Sequence, residues 1–256
     1  MAKFNSEQYA KSWEVKRKAA EVRAYKIAYS YLSQLNRTLI QKVNQYGVEA
    51  TNAQLSQFIR REDTEAVVFD ITFKESQVFY NFTKTQIERT KRRPDVEAGF
   101  FSEVWRQRIL NIIREPAFFD LIVGITSTTM KRVSEVFAVG MAERIGAREM
   151  ARLLRKEIGY NTKRALRIAR TQVNMAARIG RQGAAENSPY LLDKVWVHGA
   201  LRDPRDNHLA LNGKQIKKEE LFDMGNGIFM DEPGDSRGGA GEVVNCTCTV
   251  GYLVRD

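Results

Sequence analysis

The chain has 256 residues, of which 43% are hydrophobic and 28% charged, and a net charge of +10, a balance that suits one large or two small globular domains with a sizeable core. No run of 18 apolar residues is present, so no membrane span is expected, and the opening "MAKFNSEQYAKSWEVKRK" lacks the apolar core of a secretory leader. Two cysteines, Cys246 and Cys248, cannot build a disulfide framework, so synthesis in a reducing compartment is expected.

Apolar residues recur at steps of three and four from Val15 through Ala19, Val22, Tyr25, Tyr29, Leu32, Leu35, Leu39 and Val43 to Tyr46. This spacing predicts a helix of about 30 residues, roughly 45 Å long, ending at Gly47 and packed along that stripe. From Asn52 to Arg93 the run "AVVFDITF" alternates like a strand. Val67, Ile71, Val78 and Phe82 also fit one helical face, and no Gly or Pro interrupts, so a helix is expected. A helix over 100–114 follows, bounded by Pro116. The next is predicted to open at the Ser/Thr cluster of "ITSTTMKRVSEVFAVGM", a favourable N-cap environment.

Two further helices are predicted in "GAREMARLLRKEIG" and in "NTKRALRIARTQVNMAARIGRQGAAEN", the second starting at Asn161 and fraying near Asn187-Ser-Pro. Leu166, Ala169, Val173, Ala176 and Gly180 give the second helix a narrow face of mostly small residues. Beyond Pro189, "DKVWVHGA" and "EVVNCTCTVGYLV" read as short strands between Gly-, Asp- and Pro-rich turns, with a short helix expected near Lys217–Met224. The expected fold is mainly α, of long packed helices, with a small C-terminal α+β module. A helical body occupies 1–124, a basic helical segment 125–187 and the module 188–256.

Charge is uneven along this order. Residues 141–181 carry 11 Lys/Arg against 3 Asp/Glu, whereas 186–256 carry 8 against 12. Arg144, Arg148, Arg152 and Arg155 fall on one helical stripe, and Arg164, Arg167, Arg178 and Arg181 on another. Arginine suits phosphate or carboxylate because its planar fork donates paired hydrogen bonds. Nucleic-acid backbone, an acidic protein partner and plain solvated surface all remain open for these stripes.

The module holds all the thiols and imidazoles of the chain: Cys246, Cys248, His198 and His208. A redox pair is disfavoured, because the usual spacing is C-x-x-C and a bridge between residues i and i+2 is strained. Thiolates with imidazole are a common zinc set, which makes Cys246, Cys248 and His208 candidate ligands, with His198 or a carboxylate such as Asp203 as the fourth. The competing reading is a pair of thiols buried in a small core. No phosphate-cradling glycine loop, nucleophile elbow or complete catalytic set is legible, so no enzyme is expected.

The runs "RALRIARTQVNMAARIGRQGAAE", "KVWVHGALRDPRDNHLALNGKQI", "ELF", "EPGD" and "NCTCTV" resemble the phage Mu F-like head morphogenesis family of minor head proteins. The resemblance rests on Ala169, Arg170, Thr171, Trp196, Arg205, His208, Leu211, Gly213, Phe222, Pro233, Asp235, Asn245, Cys246 and Cys248, over about residues 125–256. Gln172 stands where the family usually has Glu, and Thr247 where an Arg usually separates the cysteines. The resemblance implies a minor head protein of a tailed bacteriophage, located in the virion and made in the bacterial cytoplasm. It would be associated with the portal protein, other head proteins and packaged DNA, acting in head assembly, packaging or genome ejection. No cofactor is expected apart from a structural zinc ion left open in the module. Two rival readings stand beside it: a metal-dependent hydrolase or nuclease using His208, Cys246 and Cys248, and a sequence-independent DNA-binding protein.

Overall fold

The computed structural model describes residues 5–90, 103–156, 162–199 and 204–255. Helix α1 runs from Ser6 to Tyr46 without a Gly or Pro. Asn5 caps it by accepting the Gln8 amide, and Gly47, at φ +84°, ends it. Short helices α2 (Val48–Ala53) and α3 (Leu55–Phe58) turn the chain into α4 (Arg61–Thr90), which bears out the helical reading of that region. Helices α5 (Glu103–Arg114), α6 (Pro116–Ala142), α7 (Ala147–Leu154) and α8 (Thr162–Glu186) complete the helical body. Positions 124 and 125 lie inside the continuous α6. The fold is mainly α with a small C-terminal α+β module, as the sequence predicts. Among the described residues, no helix is long and apolar enough to cross a membrane.

Helix α8 is central. It packs most extensively on α4 and next on α1, and 16 of its 25 residues are buried. Small side chains make this possible. A Cβ at Gly180 would lie 2.3 Å from the Ser76 carbonyl oxygen on α4, and one at Gly183 would lie 2.7 Å from the Trp105 ring. Those contacts let two backbones approach as larger residues would not.

The sheet of the module is three-stranded and antiparallel, in the order β2-β1-β5, with β1 at Leu192–Val197, β2 at Gln215–Lys217 and β5 at Thr249–Val254. A separate hairpin pairs β3 (Phe222–Gly225) with β4 (Ile228–Met230). Short helices α9 (Asp206–Ala210) and α10 (Gly239–Val243) flank them. The module rests on the helices through a shared core. Trp196, Phe222, Met230, Cys246 and Val250 pack in one cluster with Trp105, Ile109, Phe118 and Ile179. The first helix reaches the last strand: the Tyr9 hydroxyl donates to the Val250 carbonyl at 2.7 Å, and the Trp13 indole donates to the Thr247 carbonyl at 3.2 Å.

Four sequence expectations are corrected here. In the N-terminal half of α1 the buried face is Trp13, Arg17, Ala20, Glu21, Ala24 and Ala28, while Val15 and Val22 are 68% and 56% exposed. Close packing selects alanine there, and Arg17 is buried because it pairs with Glu14 and Glu21. Helix α6 starts at Pro116, whose fixed φ suits a first helical position. The Ser/Thr cluster is interior instead, its hydroxyls donating back to carbonyls one turn earlier, as Thr128 does to Gly124 at 2.7 Å. The expected helix near Lys217–Met224 is strand, because Gly225, Asn226 and Gly227 all adopt positive φ and close a hairpin that buries Phe222 and Met224 on one face. Finally, β5 begins at Thr249, so Cys246 and Cys248 precede the strand and lie in the turn that leads into it.

Candidate functional site

The site is built around the tight turn at Asn245, which takes φ +63°, a left-handed conformation that Asn tolerates better than most residues. Two residues of α8 clamp this turn. The Arg170 guanidinium donates to Asn245 Oδ1 at 2.8 Å, and Thr171 Oγ1 accepts the Asn245 amide at 3.0 Å. Arg205 holds the preceding residue, donating to the Val244 carbonyl at 2.8 Å. The turn thereby delivers Cys246 and Cys248 to His208 on α9.

His208 Nδ1 lies 3.5 Å from Cys246 Sγ and 3.7 Å from Cys248 Sγ, and its Nε2 lies 2.6 Å from Glu242 Oε2. The Asn207 amide reaches both Glu242 oxygens at 3.2 Å. Trp196 walls the ring, edge-on to His208 at 5.3 Å, and is itself packed edge-on to Phe222 at 5.1 Å. Gly213 turns the chain at φ +82° and donates to the Trp196 carbonyl, fixing the strand that carries the tryptophan. All three donors are nearly sealed, at 2%, 1% and 4% exposure for His208, Cys246 and Cys248. One ligand atom from each falls within 4.8 Å of the others.

The electrostatics follow from this packing. Burial opposes charge on His208, but Cys246 and Glu242 outweigh it and raise the imidazole pKa. The Cys246 thiol is lowered, chiefly by its contact with Cys248 and then by His208 against the opposing effect of burial, whereas Cys248 is raised by Cys246 and by burial. His198 stands outside the close set. Its ring is half-buried, its pKa is lowered by burial, and its backbone amide donates to Asn212 Oδ1 at 2.9 Å. Asp203 lies outside the described residues.

Comparison with known proteins matches residues 131–251 to the family described as Phage Mu protein F like protein. Over this segment, just under half of its length, the chain is similar to the Phage Mu F-like family. Among curated proteins, it is 30% identical over 122 residues to the NAD(+)--arginine ADP-ribosyltransferase EFV of Enterococcus faecalis (strain ATCC 700802 / V583), a match covering 46% of this chain and 25% of that protein. It is 31% identical over 98 residues to the uncharacterized protein YqbB of Bacillus subtilis (strain 168), covering 37% of this chain and 32% of that protein. The chain therefore spans about a quarter and a third of the lengths of these relatives. No solved structure matches.

Within the Mu F-like segment the motif residues meet in space. The turn "EPGD" docks on α8: Arg181 donates to Glu232 at 2.6 Å and to the Pro233 carbonyl at 3.2 Å, and Arg178 lies 3.8 Å from Asp235. Gly234, at φ +91°, leaves only the room of a missing Cβ beside the Asn174 carbonyl. Asp235 accepts the Asp231 amide and the Arg237 side chain; these and Arg178 outweigh burial and hold its carboxyl below the usual range.

The two arginine stripes part company. Arg144, Arg148, Arg152 and Arg155 are exposed, and the last three line an open cavity of about 510 Å³ with Gly146 and Glu149. The second stripe is not one surface. Arg167 is exposed, but Arg164 is half-buried and donates to the Ile125 carbonyl and Thr129 Oγ1, with burial lowering its pKa to about 10. Arg178 is mostly covered, and Arg181 is fully buried against Glu232 and over the Trp13 ring. The acidic tail, folding back on α8, takes up Arg178 and Arg181, while α6 takes up Arg164. Glu242 and Asn207 are neighbours of the His208 ring that the motif reading did not single out. Glu242 had a signal, as the lone carboxylate in "EVVNCTC".

Proposed function

We propose that this chain is a minor head protein of a tailed bacteriophage, bound near the portal vertex and acting in head assembly, DNA packaging or genome ejection. The match of residues 131–251 to the Phage Mu F-like family carries the reading. The geometry supports a structural part. Motif positions spread from Arg170 to Cys248 interlock through a buried turn, a buried ion pair and a shared core, and so build a rigid module on long helices. The exposed stripe of Arg144, Arg148, Arg152 and Arg155 then supplies the contact to acidic head protein or packaged DNA, and Arg167 adds to it. The transferase named among the relatives shares only a quarter of its length with this chain, so its chemistry is not carried over.

Quantitative mass spectrometry of purified particles tests this, with empty and filled heads compared. A fixed low copy number relative to portal is expected in both, and absence from both would refute the assignment. A chain carrying Arg148→Glu and Arg152→Glu should keep its helical circular dichroism yet fall severalfold in particle incorporation. Unchanged incorporation would remove that stripe from the interface.

A further inference from the structure

We propose that His208, Cys246 and Cys248 bind one zinc ion, which locks α9 to the C-terminal turn. The distances carry the case. With Zn–S of about 2.3 Å and Zn–N of about 2.0–2.1 Å, two ligands on a tetrahedral centre stand about 3.6 Å apart. The observed Nδ1 to Sγ separations are 3.5 and 3.7 Å. Both sulfurs are thus placed equally about one ring nitrogen, as neighbours on a coordination polyhedron are.

The second ring nitrogen is also engaged as a zinc-bound histidine's should be. Nε2 meets Glu242 Oε2 at 2.6 Å, and Glu242 is itself held by Asn207. A carboxylate on the far nitrogen fixes the ring orientation and makes Nδ1 a better donor. Two thiolates and an imidazole select zinc over magnesium or calcium, which prefer oxygen. Glu242 is the positioning residue here.

The same atoms could suggest a cysteine nucleophile, with Cys246, His208 and Glu242 in line. Burial argues against it, since exposure of 1% at Cys246 and 2% at His208 leaves a substrate no approach. A nucleophile also has no use for a second thiol at the same distance from its base. A metal uses both.

The test uses the full chain, expressed without a polyhistidine tag in zinc-supplemented medium. Elemental analysis should give one zinc per chain. Exchange for cobalt should produce the thiolate charge-transfer and tetrahedral ligand-field bands. In the wild-type protein a mercurial that binds the two cysteine thiols should release one zinc per chain, which a colorimetric chelator follows in step with the mercurial added. Glu242→Gln should weaken zinc affinity about tenfold while retaining cobalt bands. Cys246→Ser and Cys248→Ser should abolish binding; if either fails to fold, the wild-type release experiment still decides. Folded wild-type protein that takes up neither zinc nor cobalt overturns the proposal, as does alkylation of Cys246 alone in the native state, which would favour the nucleophile. Zinc persisting in a folded double Cys→Ser variant would place the metal elsewhere and overturn it too.

Discussion

Arg181 and Glu232 have no solvent exposure, and each is the other's charge partner. Burial raises the Glu232 pKa against the opposing pull of Arg181, which shows how costly the isolated charge would be. Removing one partner strands the other, so Arg181→Ala or Glu232→Ala should each cost about 3–5 kcal/mol in denaturant unfolding. The double change Arg181→Met with Glu232→Gln should cost much less. Asn245 separates conformation from hydrogen bonding: Asn245→Gly keeps the positive φ and loses the Arg170 bond, for about 1 kcal/mol, whereas Asn245→Ala also forces a Cβ-bearing residue into the left-handed region, for about 2 kcal/mol or more. Asp235 sets an acid limit. Its folded pKa lies below the ordinary 3.8, so its stabilisation is complete above that value and is lost as pH falls through the depressed one. In Asp235→Asn that part of the acid dependence should vanish from unfolding free energies measured between neutral and acid pH.

Between elements, the α4–α8 contact depends on what α8 lacks. The Ser76 carbonyl occupies the place of a Gly180 side chain, and a backbone cannot swing aside as a side chain can. Gly180→Ala should therefore separate the helices and destabilise the protein by about 2–3 kcal/mol, although alanine favours helix intrinsically. Thermal unfolding would measure this, and a rise in Tm would refute the close approach. The element reading of the sequence failed where a local rule met a tertiary one. The Ser/Thr run near residue 127 has good capping chemistry, but α6 was already running, and its hydroxyls bond back along it.

Across the whole molecule, residues 241 positions apart are joined when Tyr9 donates to the Val250 carbonyl, and Trp13 bonds the turn between the cysteines. Trp13, Trp105 and Trp196 are all buried, two in the core shared by helices and module and one at the α1 face beside it. Helix loss and tryptophan exposure should therefore share one midpoint in thermal unfolding, and two resolved midpoints would show that the module melts apart from the helices. The same folding back of the acidic tail over Arg178 and Arg181, with α6 over Arg164, explains why a basic stripe counted along α8 does not become one basic surface. Of the two stripes, the one on α7 and the turns beside it stays exposed, and from α8 Arg167 joins it.

By itself the sequence determined the features that depend on near neighbours. The long helices, the Gly47 stop, the β-like C-terminal texture and the ordered motifs of the Mu F-like segment all follow from periodicity, turn chemistry and local spacing. The tertiary structure decided everything that depends on what lies opposite. It placed alanines instead of valines on the buried face of α1, turned Arg181 inward to meet Glu232, and brought Glu242 to the ring of His208. The physical reason is that burial and pairing are set across tens or hundreds of residues of chain. A stripe of arginines or a pair of thiols states its chemistry in the sequence, but only the fold chooses its partner.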